Sequence, residues 1–287
     1  MSNCRHLLFL FAALLCATFA SANDKIKVLI VDGQNNHNWK ATTPVMVAAF
    51  ERAGSFQVDV ATSPPSGGDM SKFDPQFSKY DAVVSNYNGQ MWSEKTQQAL
   101  LDYVKGGGGF VVVHAANNSF GNWEEYNRMI GLGGWGGRNE KSGPYVYFKD
   151  GEWVRDESKG GGGSHGPQHE FQIVVRNSDH PVTQGMPLSW MHAKDELYDS
   201  LRGPAAEMKI LATAFSAKSQ RHEPMIFTID YGKGRVFHTP MGHADYSMQC
   251  AGFQATLLRG TQWVATGKVT LEIPEDFPSS DTVSMRE

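Results

Sequence analysis

Gly106–Phe120 reads GGGGFVVVHAANNSF: four glycines lead into a wholly apolar, β-branched run that stops at a histidine. Apolar residues without alternation mark a strand covered on both faces, as in a parallel sheet flanked by helices. The carboxyl end of such a strand is where open α/β sheets place their ligands. His114 therefore puts an acid–base group, not another packing residue, at the expected pocket. A histidine that satisfies its hydrogen bonds locally is the competing reading.

Outward from this strand the chain alternates strands with helices. Lys25–Asp32 (KIKVLIVD) is a first strand, followed by a break over Gly33–Trp39, a helical Thr43–Arg52 and a second strand over Phe56–Ala61. Ala82–Asn86 is a third strand. Ser93 is placed to cap a helix over Glu94–Lys105, and Gly106 reads as the residue that ends it. With Phe110–His114 as the fourth strand, this order implies a doubly wound, mostly parallel α/β sheet. Right-handed crossovers put the ends after Asp32, Asn86 and His114 on one rim. Trp123–Ile130 reads as a helix and Gly131–Gln168 as a long glycine-rich loop. His169–Val175, Met208–Phe215, Met225–Tyr231 and Arg235–Met241 read as late strands, the last two joined by Gly232-Lys233-Gly234 as a hairpin. Gly252–Ala265 is a closing amphipathic helix, and Glu272–Glu287 is a polar tail.

Residues 1–22 read as a leader. Arg5 gives a basic start, Leu7–Phe19 is an apolar run too short to span a bilayer, and Ala20-Ser21-Ala22 matches a small-x-small cleavage site. The expected mature chain starts at Asn23, is secreted or periplasmic, carries its α/β domain to about residue 270 and has no membrane span. Cys4 and Cys16 fall in the leader, so Cys250 alone remains and no intramolecular disulfide can form. Without Arg5, 25 basic residues face 30 acidic ones, and no basic stretch points to nucleic acid. The sequence carries no signal for oligomeric state.

Polar groups cluster after strand ends: His37 and Trp39 after the first, Asn86, Asn88 and Gln90 after the third, His114, Asn117 and Asn118 after the fourth, and His243 after the last. Three histidines at one rim are a more specific signal than any one alone. Asp195 and Glu196 add carboxylates outside any clear helix or strand, where an acid can orient a histidine; an acid pair at a helix N-terminus is the alternative. His165 and His169 have a ligand spacing only if their segment is helical, and they are the candidate holders of a divalent metal such as zinc. His180, before Pro181, reads as a turn residue. No P-loop and no GxSxG elbow occurs, which speaks against nucleotide binding and serine hydrolysis.

With HNW at residues 37–39, GGGFVVVHAANNSF, HPVTQGMP, DELY and GKGRVFHTPMGHADYS in hand, the chain resembles the ThuA-like (trehalose-utilisation) family over nearly all of Lys25–Gly267. The resemblance implies the flavodoxin-like fold of class I glutamine amidotransferases. Those enzymes carry a cysteine at the elbow that His114 occupies here, so glutaminase chemistry is excluded.

The resemblance also implies bacterial sugar use, with disaccharides handled as 3-keto derivatives. A ketone at C3 acidifies the C2 proton, so cleavage or isomerisation needs a base, a carbonyl-polarising group and an acid for the leaving oxygen. On this reading His114 is the base, His243 or His37 polarises the carbonyl, and Glu196 orients one of them. Trp39 and Trp135 stack on the sugar, while Asn88, Gln90, Asn117, Arg138 and Asp195 bind it. The alternative is a non-catalytic carbohydrate-binding or scaffold protein, which predicts histidines pointing apart.

Overall fold

A computed structural model describes residues 25–286; the leader reading over residues 1–22 lies outside them. The first half follows the expected order: β1 (Ile26–Asp32), α1 (Trp39–Ala53), β2 (Phe56–Thr62), β3 (Ala82–Ser85), α2 (Glu94–Lys105), β4 (Gly109–Val113) and α3 (Glu124–Ile130). The second half holds β5 (Tyr145–Lys149), β6 (Glu152–Asp156), β7 (Ser164–His165), β8 (His169–Val175), β9 (Ser189–Asp195), β10 (Tyr198–Asp199), β11 (Met208–Ser216), β12 (Arg221–Tyr231), β13 (Gly234–Thr239), α4 (Asp245–Met248) and α5 (Ala251–Thr266).

The main sheet runs β2-β1-β3-β4-β13-β12-β11-β8-β9. β2, β1, β3, β4 and β13 are parallel, and each later neighbour is antiparallel to the one before. Four antiparallel steps separate β13 from β9, so β9 runs in the direction of β13. The carboxyl ends of β1, β3, β4, β13 and β9 therefore share one end of the sheet, which puts the loops after them within reach of a common site.

β4 shows why the fold forms. Val111 and Val113 join the core that holds Phe50 and Leu257, whereas Phe110 and Val112 join the opposite core with Leu100 and Tyr126. Side chains alternate across a strand, so a run that is apolar at every position must be covered on both faces. α5 lies so close over β4 that a Cβ on Gly109 would come within 2.8 Å of the Val264 backbone. α2 begins at Ser93, whose Oγ accepts the Thr96 N–H. Gly106 ends it as expected, in right-handed geometry (φ −74°), and Gly107 takes a positive φ (+120°).

Three stretches differ from the expected layout. Within Gly131–Gln168, β5 and β6 form a hairpin around Asp150-Gly151, whose φ values of +51° and +88° are the pair a type I′ turn requires. The flanking glycines read as loop, but the alternation inside them was strand-like. β9 ends on Asp195, so Asp195 and Glu196 do not open a helix. The tail forms no helix but is docked: Ser279 O accepts the Met191 N–H, Ser284 O accepts the Ala251 N–H, and Phe277 packs 5.4 Å from Trp190. Among the described residues no helix is long and apolar enough to cross a membrane.

Candidate active site

His114 is the first residue beyond β4 and sits at φ +45°, a left-handed conformation that costs a non-glycine residue of order 1 kcal/mol or more. This bend turns the ring out of the strand. Its Nδ1 donates to the Pro240 carbonyl at 2.6 Å, and its Nε2 lies 3.3 Å from His37 Nε2. His37 is set by an Asx turn, its N–H donating to Asn35 Oδ1, and the Asn35 amide donates in turn to the Asn86 carbonyl beyond β3.

His243 and Glu196 complete the group. Glu196 Oε2 lies 3.1 Å from His243 Nδ1, 3.7 Å from His114 Nε2 and 3.8 Å from His37 Nε2. Asp195, fully buried behind them, fixes both segments at once. Its Oδ1 accepts the N–H groups of Glu196 and His243, and its Oδ2 accepts that of Gly242 and the ring N–H of His192. Gly242 supports this at φ +108°, where a Cβ would crowd Met248 and Phe253.

The electrostatics follow from burial and neighbours. Burial, reinforced by each other's proximity to further imidazoles, lowers His37 to about 4; burial alone is the largest influence that takes His114 to about 4. His243 is raised, chiefly by its bond to Glu196. Burial works against ionising Glu196, but the surrounding histidines outweigh it and lower the carboxyl. Burial likewise opposes charge on Asp195 and His192, but their hydrogen bond to each other outweighs it, lowering Asp195 and raising His192. Two rings held in the neutral form, one ring whose protonated form is favoured and a carboxyl whose ionised form is favoured thus meet at one point.

A cavity of about 520 Å³ opens over this group and is lined by His37, Glu196 and His243 together with Asn36, Asn88, Asn118, Trp135, Gly136, His165 and Tyr198. His114 is 2% exposed and does not line it, so the ring is the floor of the site and is out of reach as a base acting directly on substrate. His165 Nδ1 donates to the Gly166 carbonyl at 2.8 Å, which leaves Nε2 facing Glu196 Oε1 at 3.7 Å.

Of the other residues singled out in the sequence, Asn88 and Trp135 line the cavity. Trp39 begins α1 outside it, under Lys40. Gln90 braces a loop, accepting the Gly67 N–H at 2.7 Å. Asn117 is buried against His238 Nε2 at 3.1 Å. Arg138 is buried as well, its guanidinium donating to the carbonyls of Asn118, Ser119 and Gly134 and to Asn127 Oδ1, so it holds the glycine loop and does not line the cavity. Asp195 binds backbone, not the cavity. His165 and His169 lie on separate strands, and exposed His169 faces a different hollow, bonded to the Pro167 carbonyl. They do not form a ligand pair. His180 accepts the Val182 N–H within its turn. Cys250 caps α5, buried, away from the cavity.

Sequence reading missed Tyr198 and Asn36, while Asn118, named with Asn117 after the fourth strand, does line the cavity. Tyr198 OH lies 3.4 Å from His37 Nε2, and burial raises its phenol above the usual range. It pairs with His165 across the β7–β10 ladder, a contact between segments 33 residues apart that no local pattern announces.

The model of the family described as ThuA, trehalose utilisation, matches residues 27–264. A ThuA-like protein from Parabacteroides merdae has a crystal structure with a TM-score of 0.89 and 52% identity, over 91% of this chain and 98% of that one. A ThuA-like protein from Bacteroides uniformis shares the fold at a TM-score of 0.59 and 22% identity, over 89% and 96% of the two chains. A cytoplasmic protein from Salmonella typhimurium shares it at 0.52 and 15%, over 83% and 99%. No curated protein matches the chain.

Proposed function

The chain belongs to the ThuA family, described as serving trehalose utilisation, and we propose that it is an enzyme that moves a proton beside the ketone of 3-keto-glycosides, leading to their cleavage or isomerisation. One observation carries this reading: three imidazoles and a carboxylate converge at the floor of a polar cavity instead of pointing apart. A ketone at C3 acidifies C2–H because the resulting carbanion is delocalised onto the oxygen. That oxygen sits at His37 and His243, whose ring N–H groups stabilise the developing charge, while Glu196 orients His243. The base is His165, whose Nε2 presents a lone pair to the cavity. Trp135 and Tyr198 flank the ring, and Asn36, Asn88 and Asn118 bond its hydroxyls. The protein works outside the cytoplasm after cleavage near Ala22, on a small carbohydrate and without nucleic acid.

The test is a panel of 3-keto-glycosides in D₂O, followed by NMR for exchange at C2 and for release of the second sugar. Exchange or release on one member supports the reading. Binding of the parent glycosides with neither reaction on any member assigns the protein to the carbohydrate-binding alternative.

A further inference from the structure

We infer that His37, His114, His243 and Glu196 form a site for one divalent transition-metal ion of the zinc class. One donor atom from each lies within 4.8 Å of all the others. Four of the six edges are 3.1 Å (His243 Nδ1 to Glu196 Oε2), 3.3 Å (His37 Nε2 to His114 Nε2), 3.7 Å (His114 Nε2 to Glu196 Oε2) and 3.8 Å (His37 Nε2 to Glu196 Oε2), and the other two stay within 4.8 Å. A tetrahedral ion with bonds of about 2.0–2.1 Å spaces its donors about 3.3 Å apart, which two of these edges match to about 0.2 Å and to which the longer ones close by small side-chain shifts.

Protons alone leave the group poorly matched. The Pro240 carbonyl can only accept, so the His114 proton is on Nδ1 and Nε2 of the neutral ring is a bare lone pair. That lone pair faces the Glu196 carboxylate at 3.7 Å, another acceptor. A proton on His37 Nε2 serves one of the acceptors around it and not the rest. A single cation engages all four donors. The outer shell is also that of a metal site: a carbonyl orients one imidazole, and the Asp195 carboxylate holds the backbone of two ligand residues. Three imidazoles and one carboxylate select a zinc-class ion over magnesium or calcium. His165, facing the other carboxylate oxygen, stays on the cavity side and outside the ligand set.

This inference concerns the same cavity but does not depend on the carbohydrate. Chelator-treated mature protein is titrated with ZnSO₄ by calorimetry, with MgCl₂ as the comparison and the melting temperature recorded at each step. One zinc per chain with a raised melting temperature is the expected result. The double variant H114Q/E196Q weakens binding by at least about 100-fold, beyond the loss of an outer-shell partner. H243Q, changed at a partly exposed ring, retains the fold and also weakens binding, whereas H169Q binds like the unaltered protein. No zinc uptake by the unaltered protein, or uptake by folded H243Q indistinguishable from it, overturns the inference. Because zinc is the only ligand in this experiment, its outcome is separate from that of the glycoside panel.

Discussion

The ring N–H of His192 donates to Asp195 Oδ2 at 2.8 Å, with both side chains fully buried. Asp195 in turn gathers the backbone N–H groups of Glu196, Gly242 and His243, so this ion pair joins the end of β9 to the loop after β13. Removing one partner of a buried pair leaves the other charge uncompensated, at about 3–5 kcal/mol. His192→Phe is expected to lose that much stability in urea unfolding and to loosen the site. A loss below about 1 kcal/mol would show that the pair does not hold the two segments.

The two neutral histidines predict acid sensitivity. His37 and His114 are lowered to about 4 from an ordinary 6.5. Below pH 6.5 the unfolded chain takes up protons that the folded chain refuses, so stability present above 6.5 is lost as pH falls towards 4. Chelator-treated protein is expected to show a falling melting temperature across that window. H37Q/H114Q should flatten the slope, and an unchanged slope would contradict the burial of neutral rings.

His165→Gln removes the proposed base while leaving the floor of the site intact. The rate of C2 exchange on a reactive 3-keto-glycoside should fall about 10²–10⁴-fold. His169→Gln, four residues away but facing a different hollow, should leave the rate unchanged. Equal effects from the two variants would remove His165 from the chemistry.

Arg138 tests the distinction between holding a loop and binding a sugar. Its four hydrogen bonds reach three carbonyls and one amide oxygen, a fork that lysine cannot reproduce. Arg138→Lys is expected to cost at least about 2 kcal/mol in urea unfolding, since bonds from a charged donor contribute about 1.5–3 kcal/mol each. Unaltered stability with a raised KM would instead return Arg138 to the substrate.

Export is checked on the protein itself. Mass spectrometry of the form recovered from the native host outside the cytoplasm should give an N-terminus at Asn23. A chain found only in the cytoplasm and starting at Met1 would refute the leader reading.

Much of the fold was legible because it is local. The all-apolar β4, the Ser93 cap and the Gly232-Lys233 turn are properties of a few adjacent residues, and each formed where its pattern lay. The hairpin at Asp150-Gly151 was equally local but hidden between glycine runs. The site was legible only in part. His37, His114 and His243 follow parallel strands, so topology alone sends them to one rim. Arg138 and Asp195 carry the same charges as ligand-binding residues, and nothing local reveals that their groups are consumed by backbone.

By itself, then, GGGGFVVVHAANNSF determined a strand covered on both faces and an imidazole at its carboxyl end, because side-chain alternation and strand direction are set by neighbouring residues. The tertiary structure decided what that imidazole does. The Pro240 carbonyl, 126 residues away, accepts the hydrogen bond of its Nδ1, and Glu196 after β9 and His243 after β13 meet beside its Nε2 at the shared end of the sheet. A lone pair's direction depends on which distant carbonyl holds the ring's other nitrogen, and chain packing alone fixes that.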